Sequence, residues 1–203
     1  MPFPQISPLT YKFNGNKNAV VTVCERCGLI WRHAQAADTN YYVNPTEQLD
    51  NQDSIVTVFS PTDGGYVSNH LVMSRLLNTL LKNKTPVILD IGSGNGMFLK
   101  QIHSNFPGWQ LFAYDIHEFL AETFQGYDNI HYKYGKLLEI QQKFDAISFI
   151  DSLSYIGDIK NLFNFFETNL RDDGLIFLTT PDITKNPLTL LMDNQYYYFT
   201  LDN

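Results

Sequence analysis

The 203-residue chain has only two cysteines, no long apolar run and no cluster of basic residues. Two cysteines two residues apart do not form the disulfide framework of a secreted protein. The apolar runs are far shorter than the roughly 18 residues of a membrane-spanning helix, and the start of the chain lacks a signal-peptide pattern. The net charge of −7 argues against a duplex nucleic-acid surface, which needs clustered Lys and Arg. We therefore expect a cytoplasmic protein with neither a membrane nor a duplex nucleic acid as its partner.

The N-terminal residues 1–65 predict a small β appendage followed by a linker. Residues 1–18 carry several prolines and are expected to form an irregular tail. The apolar runs Ala19–Val23 and Leu29–Trp31 read as the two strands of a hairpin. The polar, turn-rich stretch that follows contains one predicted short strand, Ile55–Phe59.

The turn of this hairpin has the spacing of a zinc knuckle. Cys24 and Cys27 are candidate metal ligands, because two thiolates at this spacing can reach one tetrahedral zinc ion. A structural zinc site needs about four ligands, and the sequence has no further cysteine, so His33 and His70 are the candidates for completing it. The alternative is a hairpin with two free thiols. Both interpretations remain open at the level of sequence.

Residues 66–203 predict one α/β domain in which strands and helices alternate. The first predicted strand is the short apolar run from Val87 that ends on Asp90. The other predicted strands are Trp109–Tyr114, Ile130–Tyr134, Phe144–Ile150 and Leu175–Thr180. Helical patterns begin at Ser68 or Asn69, at Phe98, at His117 and at Asp158. This alternation favours a mostly parallel sheet with right-handed crossovers.

Three glycines at alternate positions follow the first of these strands. A dinucleotide fold spaces its glycines G-x-G-x-x-G, whereas this chain has Gly92-x-Gly94-x-Gly96 and no lysine-containing phosphate loop. Asp90 precedes the glycines, and a carboxylate there would repel a pyrophosphate but suit a ligand with positive charge. We infer a ligand with a ribose, an adenine and a cationic group. A nicotinamide-dependent dehydrogenase is the weaker alternative.

Four motifs in order resemble those of class I S-adenosylmethionine-dependent methyltransferases. Val87–Gly96 resembles the first motif of that family, and Phe112–Ile116 resembles its second strand with a terminal acid. Phe144–Asp151 resembles the fourth-strand motif, and Leu170–Ile176 the turn into the fifth strand. The resemblance implies a Rossmann-like sheet, mostly parallel, with helices on both faces and S-adenosylmethionine as the cofactor.

The resemblance also implies a set of cofactor-binding residues. The glycine loop would follow the methionine part of the cofactor, the acid after the second strand would hold the ribose, and the loops after the third and fourth strands would border the adenine and the sulfonium. These residues are Asp90, Gly92, Ser93, Gly94, Asn95, Gly96, Asp115, Ile116, Gly135, Lys136, Asp151, Ser152 and Leu153. Asp90 would face the amino group or brace the loop, and Arg75 would approach the methionine carboxylate.

The catalytic residues are less well indicated. Some small-molecule methyltransferases carry an N-terminal zinc ribbon with a Cys-x-x-Cys-Gly-Leu hairpin and a tyrosine-rich linker, which Cys24–Ile30 and Tyr41-Tyr42 resemble. Such relatives often read Leu-Glu-His after the fourth strand, where this chain has Leu153-Ser154-Tyr155. Tyr155 and His117 are the candidates for handling a proton. Tyr155 is not an easy base near pH 7, because the unperturbed pKa of tyrosine is about 10.

These features predict methyl transfer from S-adenosylmethionine to a small-molecule acceptor. The alternative is a cofactor-binding subunit, impaired or truncated, that serves as a scaffold. The family sheet ends in an antiparallel pair, and only 22 residues follow Pro181, so we expect a fragment, a shortened member, or a homo- or hetero-oligomer that covers an open sheet edge.

Overall fold

The computed structural model describes residues 57–153, 156 and 158–180 with their side chains, and the backbone of three N-terminal strands. The chain divides into two compact units, Met1–Val43 with Pro181–Asn203, and Asn44–Thr180. Each unit is described by itself. The features that lie outside the described residues are Cys27, His33, Tyr41-Tyr42, Tyr155 and the residues after Thr180.

The first unit contains a three-stranded antiparallel sheet. Its strands are β1 (Ile6–Phe13), β2 (Lys17–Cys24) and β3 (Ile30–Arg32), in the order β1-β2-β3. The predicted hairpin between β2 and β3 is confirmed, with Val23 opposite Ile30. The prediction of an irregular tail is wrong, because β1 pairs with β2 along its whole length. Pro8 is compatible with β1 since this strand lies at an edge, where a missing backbone donor need not break a ladder.

The second unit begins with a short hairpin of β4 (Thr57–Ser60) and β5 (Gly65–Ser68). β4 overlaps the predicted short strand Ile55–Phe59 but begins and ends later, and β5 was not predicted. In the turn, the Ser60 hydroxyl donates to Asp63 Oδ2 at 2.6 Å. The predicted boundary between residues 65 and 66 lies within β5, and the division into two domains there remains a prediction.

A five-stranded parallel sheet forms the centre of this unit. Its strands are β6 (Val87–Ile91), β7 (Gln110–Tyr114), β8 (Ile130–Lys133), β9 (Phe144–Ile150) and β10 (Leu170–Thr179). Their order is β10-β9-β6-β7-β8, and every neighbouring pair is parallel. The predicted parallel α/β fold is therefore confirmed. The chain moves outward on both sides of β6, which places a topological switch point between β6 and β9.

Helices cover both faces of the sheet. They are α1 (Asn69–Leu80), α2 (Met97–Asn105) and α3 (Ile159–Asn169), with 3-10 helices at Glu118–Phe124 and Leu137–Glu139. Side chains alternate along β6, so that Ile88 packs with residues of α1 and α2, whereas Leu89 packs with residues of α3. This period of two is the pattern of a strand that is buried on both faces.

Two of the three α-helices are capped by side chains at their predicted starts. The Ser68 hydroxyl accepts from the His70 amide at 3.2 Å, and the Asp158 carboxylate accepts from the Asn161 amide at 3.0 Å. Such side-chain acceptors satisfy amides that the first turn of a helix leaves without a partner. The cap at Ser68 also fixes where the first turn of α1 lies. Within the described ranges, none of the helices has the length and apolar character that crossing a bilayer requires.

Candidate functional site

The glycine loop joins β6 to α2 at the carboxyl edge of the sheet. Gly92, Gly94 and Gly96 all have positive φ, at 72°, 53° and 77°. A Cβ on Gly92 would lie 2.5 Å from the Ser152 Cβ, and one on Gly96 would lie 2.2 Å from the Phe124 ring. No atom lies within 4 Å of the corresponding position at Gly94. Two glycines therefore permit close packing, and the middle one borders open space.

Backbone hydrogen bonds hold this loop against the end of β7. The Tyr114 carbonyl accepts from the Gly92 amide at 2.8 Å and from the Ser93 amide at 3.0 Å. The Gly94 amide donates to Asp115 Oδ2 at 3.1 Å. At the far end of the loop, Asn95 Oδ1 accepts from the Met97 amide at 3.3 Å, in the first turn of α2. The glycine loop and Asp115 therefore form one hydrogen-bonded arrangement.

Asp115 lies at the strand end next to this loop. Only 9% of the residue is exposed, and its Oδ1 contacts His117 Nδ1 at 2.7 Å. The neighbouring Ile116 is 61% exposed. An acceptor-only carboxylate beside an exposed apolar side chain can bind a sugar hydroxyl and support a flat ring. The structure also places His117 against Asp115, on the β7 side of the site.

Asp90 lies beneath the loop and is only 2% exposed. Its Oδ1 accepts from the Ser148 hydroxyl at 2.7 Å. Burial raises the pKa of Asp90 to about 7, although the hydrogen bond from Ser148 acts in the opposite direction, and the negative charge of Asp115 adds to the rise. The described hydrogen bond of this carboxylate is therefore to β9, which pairs with the strand that leads into the loop.

The end of β9 has an unusual backbone conformation. Asp151 is the non-glycine residue with positive φ, 55°, among those the structure describes. Its amide donates to the Thr179 carbonyl at 3.2 Å, and its Oδ1 accepts from the Thr179 hydroxyl at 3.1 Å. The buried Ser152 hydroxyl donates to the Ile91 carbonyl, and Leu153 packs against the α3-side core. A left-handed residue costs about 1 kcal/mol or more and is often found at functional sites.

The loop after β8 borders the same edge. Gly135 has φ of 97° and no atom within 4 Å of a Cβ position, and its carbonyl accepts from the Tyr114 hydroxyl at 2.6 Å. Lys136 is largely exposed and lies 3.7 Å from Glu139. Gly135 therefore borders open space, as Gly94 does, and Lys136 extends into solvent.

Sequence reasoning named His70 as a candidate zinc ligand, but it did not predict the second set of polar groups, at the start of α1. Buried atoms without a hydrogen-bond partner include Asn69 Oδ1 and His70 Nδ1 in α1, and Ser93 Oγ in the glycine loop. Burial lowers the pKa of His70, and the negative charge of Asp151 opposes that shift. Arg75, predicted to approach a carboxylate group of the ligand, instead pairs with Asp63 at 2.5 Å. The sequence signal that could have located His70 was the capping residue Ser68, which places His70 in the first turn of α1.

The structure thus gathers most predicted residues at one edge of the sheet. The loop after β6, Asp115 after β7, Gly135 after β8 and Asp151 after β9 all lie at carboxyl ends of parallel strands, where ligands of open α/β sheets bind. Open space at two glycines, an exposed apolar side chain and the partnerless Ser93 hydroxyl fit an adenosine ligand with a polar tail. The described residues contain no cluster of three or more His, Cys, Asp or Glu that could hold a metal, and Cys24, the last residue of β2, is described only by its backbone.

Comparisons with known proteins agree with this arrangement. A family model described as a methyltransferase domain matches residues 68–200. The malonyl-[acyl-carrier protein] O-methyltransferase of Calditerrivibrio nitroreducens is 28% identical over 152 residues, which are 66% of this chain and 60% of that protein. The chain spans less than two thirds of that relative.

Two solved structures have the same fold. Coclaurine N-methyltransferase bound to N-methylheliamine and SAH matches with a TM-score of 0.55 and 17% identity, over 70% of this chain and 45% of that one. A candidate sarcosine dimethylglycine methyltransferase from Galdieria sulphuraria matches with a TM-score of 0.54 and 19% identity, over 66% of this chain and 57% of that one. At these identities the likeness concerns the fold.

Proposed function

The chain belongs to the methyltransferase-domain family, and on that premise we propose that it transfers a methyl group from S-adenosylmethionine to a small-molecule acceptor. The observation that carries this proposal is the hydrogen bond between the Gly94 amide and Asp115. It joins an open glycine loop to a carboxylate at the next strand end, which gives one continuous surface for an adenosine and an amino-acid tail. The loop itself, Gly92–Gly96, contains no Lys or Arg, so a pyrophosphate is the poorer fit.

Each part of the cofactor has a proposed set of contacts. The methionine part would lie along Gly92, Ser93, Gly94, Asn95 and Gly96, with the partnerless Ser93 hydroxyl available to its polar end. Asp115 would accept from the ribose hydroxyls, and the exposed Ile116 would pack against the adenine. Gly135 and Lys136 would border the same ring.

The acceptor side of the site is proposed to lie beside β9. Asp151, Ser152 and Leu153 would border the sulfonium, and Asp90 would brace the loop with the help of Ser148. Methyl transfer is an in-line attack on the sulfonium methyl, so holding the two reactants in line contributes much of the rate. Solved relatives include an enzyme described as an N-methyltransferase with an N-methylated small molecule, which supports an acceptor of that size.

Calorimetric titration tests the cofactor. We expect S-adenosylmethionine to bind and to raise the thermal stability, and NAD to bind far more weakly. Equal affinity for both, or no heat with S-adenosylmethionine, would contradict the proposal. Methyl transfer from labelled cofactor is then measured over a panel of small amines, alcohols and carboxylic acids. Binding without transfer would favour the scaffold alternative.

Three further predictions from the sequence remain proposals. Elemental analysis of the purified protein tests zinc at Cys24 and Cys27. Fractionation of cells tests a cytoplasmic location. Light scattering tests an oligomer that covers the sheet edge at β10, where Ile176 and Leu178 are 43% and 46% exposed. A monomer at high concentration would contradict the last of these.

A further inference from the structure

An amine or hydroxyl acceptor loses a proton when it is methylated, and the two residues predicted for that task do not supply a described base near the methyl group. Tyr155 lies outside the described residues. His117 contacts the Asp115 carboxylate at 2.7 Å, on the side of the site proposed for the ribose. Neither residue therefore gives a described acceptor for this proton beside the methyl group.

His70 lies on the opposite side of the glycine loop. It belongs to the first turn of α1, and its ring centroid is 6.3 Å from that of Phe98, in the first turn of α2 directly after the loop. The negative charge of Asp151 favours the protonated imidazole and opposes the lowering of the His70 pKa by burial. The residue after Asp151 packs against Gly92, so His70 lies beside the switch point between β6 and β9.

The imidazole has a free proton-accepting position. His70 Nδ1 is buried and has no hydrogen-bond partner. A buried histidine nitrogen usually bonds to a backbone carbonyl, a carboxylate or a ligand, because leaving a polar atom unsatisfied costs free energy. A methyl acceptor with an N–H or O–H group would supply the missing partner.

We propose that His70 faces the transferable methyl group and accepts the proton of the methyl acceptor. This inference rests on the function proposed above. The lone pair of the acceptor nitrogen or oxygen attacks the methyl carbon, the S–CH₃ bond breaks, and its electron pair returns to sulfur. The acceptor proton passes to neutral His70, so the positive charge of the sulfonium ends on the imidazolium.

The charges around His70 suit this task. Burial favours the neutral imidazole, which can accept a proton, and Asp151 favours the imidazolium that forms. The first turn of α1 carries no acidic residue, and Asp151 is the charged group that acts on His70 in the described part of the chain. The Thr179 hydroxyl and carbonyl hold Asp151 in its left-handed conformation, which keeps the carboxylate in place.

The proposal can be tested without knowing the acceptor. S-adenosylmethionine and S-adenosylhomocysteine differ in the methyl group and in the positive charge at sulfur. A full charge about 6 Å from an imidazole, at an effective dielectric constant of 20–40, lowers its pKa by about 1–2 units. We therefore expect NMR titration of the wild-type protein to give a lower His70 pKa in the S-adenosylmethionine complex than in the S-adenosylhomocysteine complex.

Matched controls are present in the same spectrum. His103, whose ring nitrogen contacts Asn129, lies in the last turn of α2, and its ring signals should have the same chemical shifts in both complexes. Asp151→Asn should lower the His70 pKa in the ligand-free protein. His70→Gln identifies the signal and should leave the affinity for S-adenosylhomocysteine within about twofold, since glutamine keeps a polar side chain there.

Each outcome separates this proposal from the function on which it rests. If neither compound binds, the proposed function fails. If both bind and the His70 pKa is the same in both complexes, His70 does not face the methyl group and the proposal is overturned. A loss of more than tenfold in affinity for S-adenosylhomocysteine on His70→Gln would assign His70 to cofactor binding and overturn it as well. Once a methyl acceptor is identified, His70→Gln should lower kcat by about 10²–10⁴-fold and remove the acidic limb of the pH profile of kcat.

Discussion

Gly96→Ala should destabilise the protein far more than Gly94→Ala, although both glycines have positive φ in the same loop. An alanine in the left-handed region costs about 1–2 kcal/mol at either position. At Gly94 there is no further penalty, since no atom lies within 4 Å of the new Cβ. At Gly96 the new Cβ would lie 2.2 Å and 2.6 Å from two atoms of the Phe124 ring, and relieving such an overlap costs about 1–3 kcal/mol more.

Urea denaturation measures both variants against the wild type. We expect a loss of about 2–5 kcal/mol for Gly96→Ala and about 1–2 kcal/mol for Gly94→Ala. The background Phe124→Leu removes the two ring atoms that lie nearest the new Cβ. In that background, Gly96→Ala should cost about as much as Gly94→Ala does in the wild type. Equal losses for the two single variants would refute the claim that Gly96 is required for close packing against Phe124.

Three further predictions concern carboxylates. Asp115→Ala should weaken S-adenosylmethionine binding by about 1–3 kcal/mol, or roughly 5- to 150-fold, in calorimetric titration, and unchanged affinity would contradict its role at the ribose. The pKa of Asp90 is raised from 3.8 to about 7, so between these pH values the folded state binds a proton at Asp90 that the unfolded state does not bind. The contribution of Asp90 to the free energy of unfolding therefore falls as the pH rises through this range. Asp90→Asn should remove that decline. In urea denaturation, the free energy of unfolding of this variant relative to the wild type should be higher at pH 8 than at pH 3 by on the order of 3–4 kcal/mol. Parallel pH curves for the two proteins would contradict this prediction. Asp145→Ala should lower the free energy of unfolding by about 1–3 kcal/mol, because the Val87 amide, 2.7 Å away, loses its acceptor. Asp173→Ala should change it little, because the ion pair of Asp173 is exposed. Similar effects of the two substitutions would contradict this reasoning.

The sheet was predictable because its strands carry local signals. β6, β7 and β9 are short apolar runs bounded by turn residues or acids, and the alternation of strand and helix indicates a parallel sheet. β1 was missed because Pro8 within it and the prolines before it suggest a loop, and the position of β1 at a sheet edge makes Pro8 acceptable. β5 was missed because a four-residue strand that starts with glycine gives almost no periodic signal.

The site divides in the same way. The glycine loop and Asp115 follow strands directly, so their meeting at one edge follows from the parallel order. The prediction for Arg75 rested on its helix alone, and the structure pairs this residue with Asp63 in the β4–β5 turn. The proximity of His70 to Asp151 depends on how α1 packs beside β9, which no local pattern encodes. Local sequence signals therefore predicted the residues of the proposed cofactor site better than the residues proposed for proton transfer.

This division has a physical basis. The proposed cofactor contacts come from consecutive loops of one parallel sheet, and backbone hydrogen bonds such as those of Gly92 and Ser93 to Tyr114 fix their geometry. The groups proposed to handle the acceptor come from a helix before the sheet and from a strained residue after β9. Their relative position depends on side-chain packing, including that of Phe98 between His70 and Phe177. Changes in that packing can therefore alter proton transfer while the cofactor loop stays intact, which is why cofactor affinity and the His70 pKa must be measured separately.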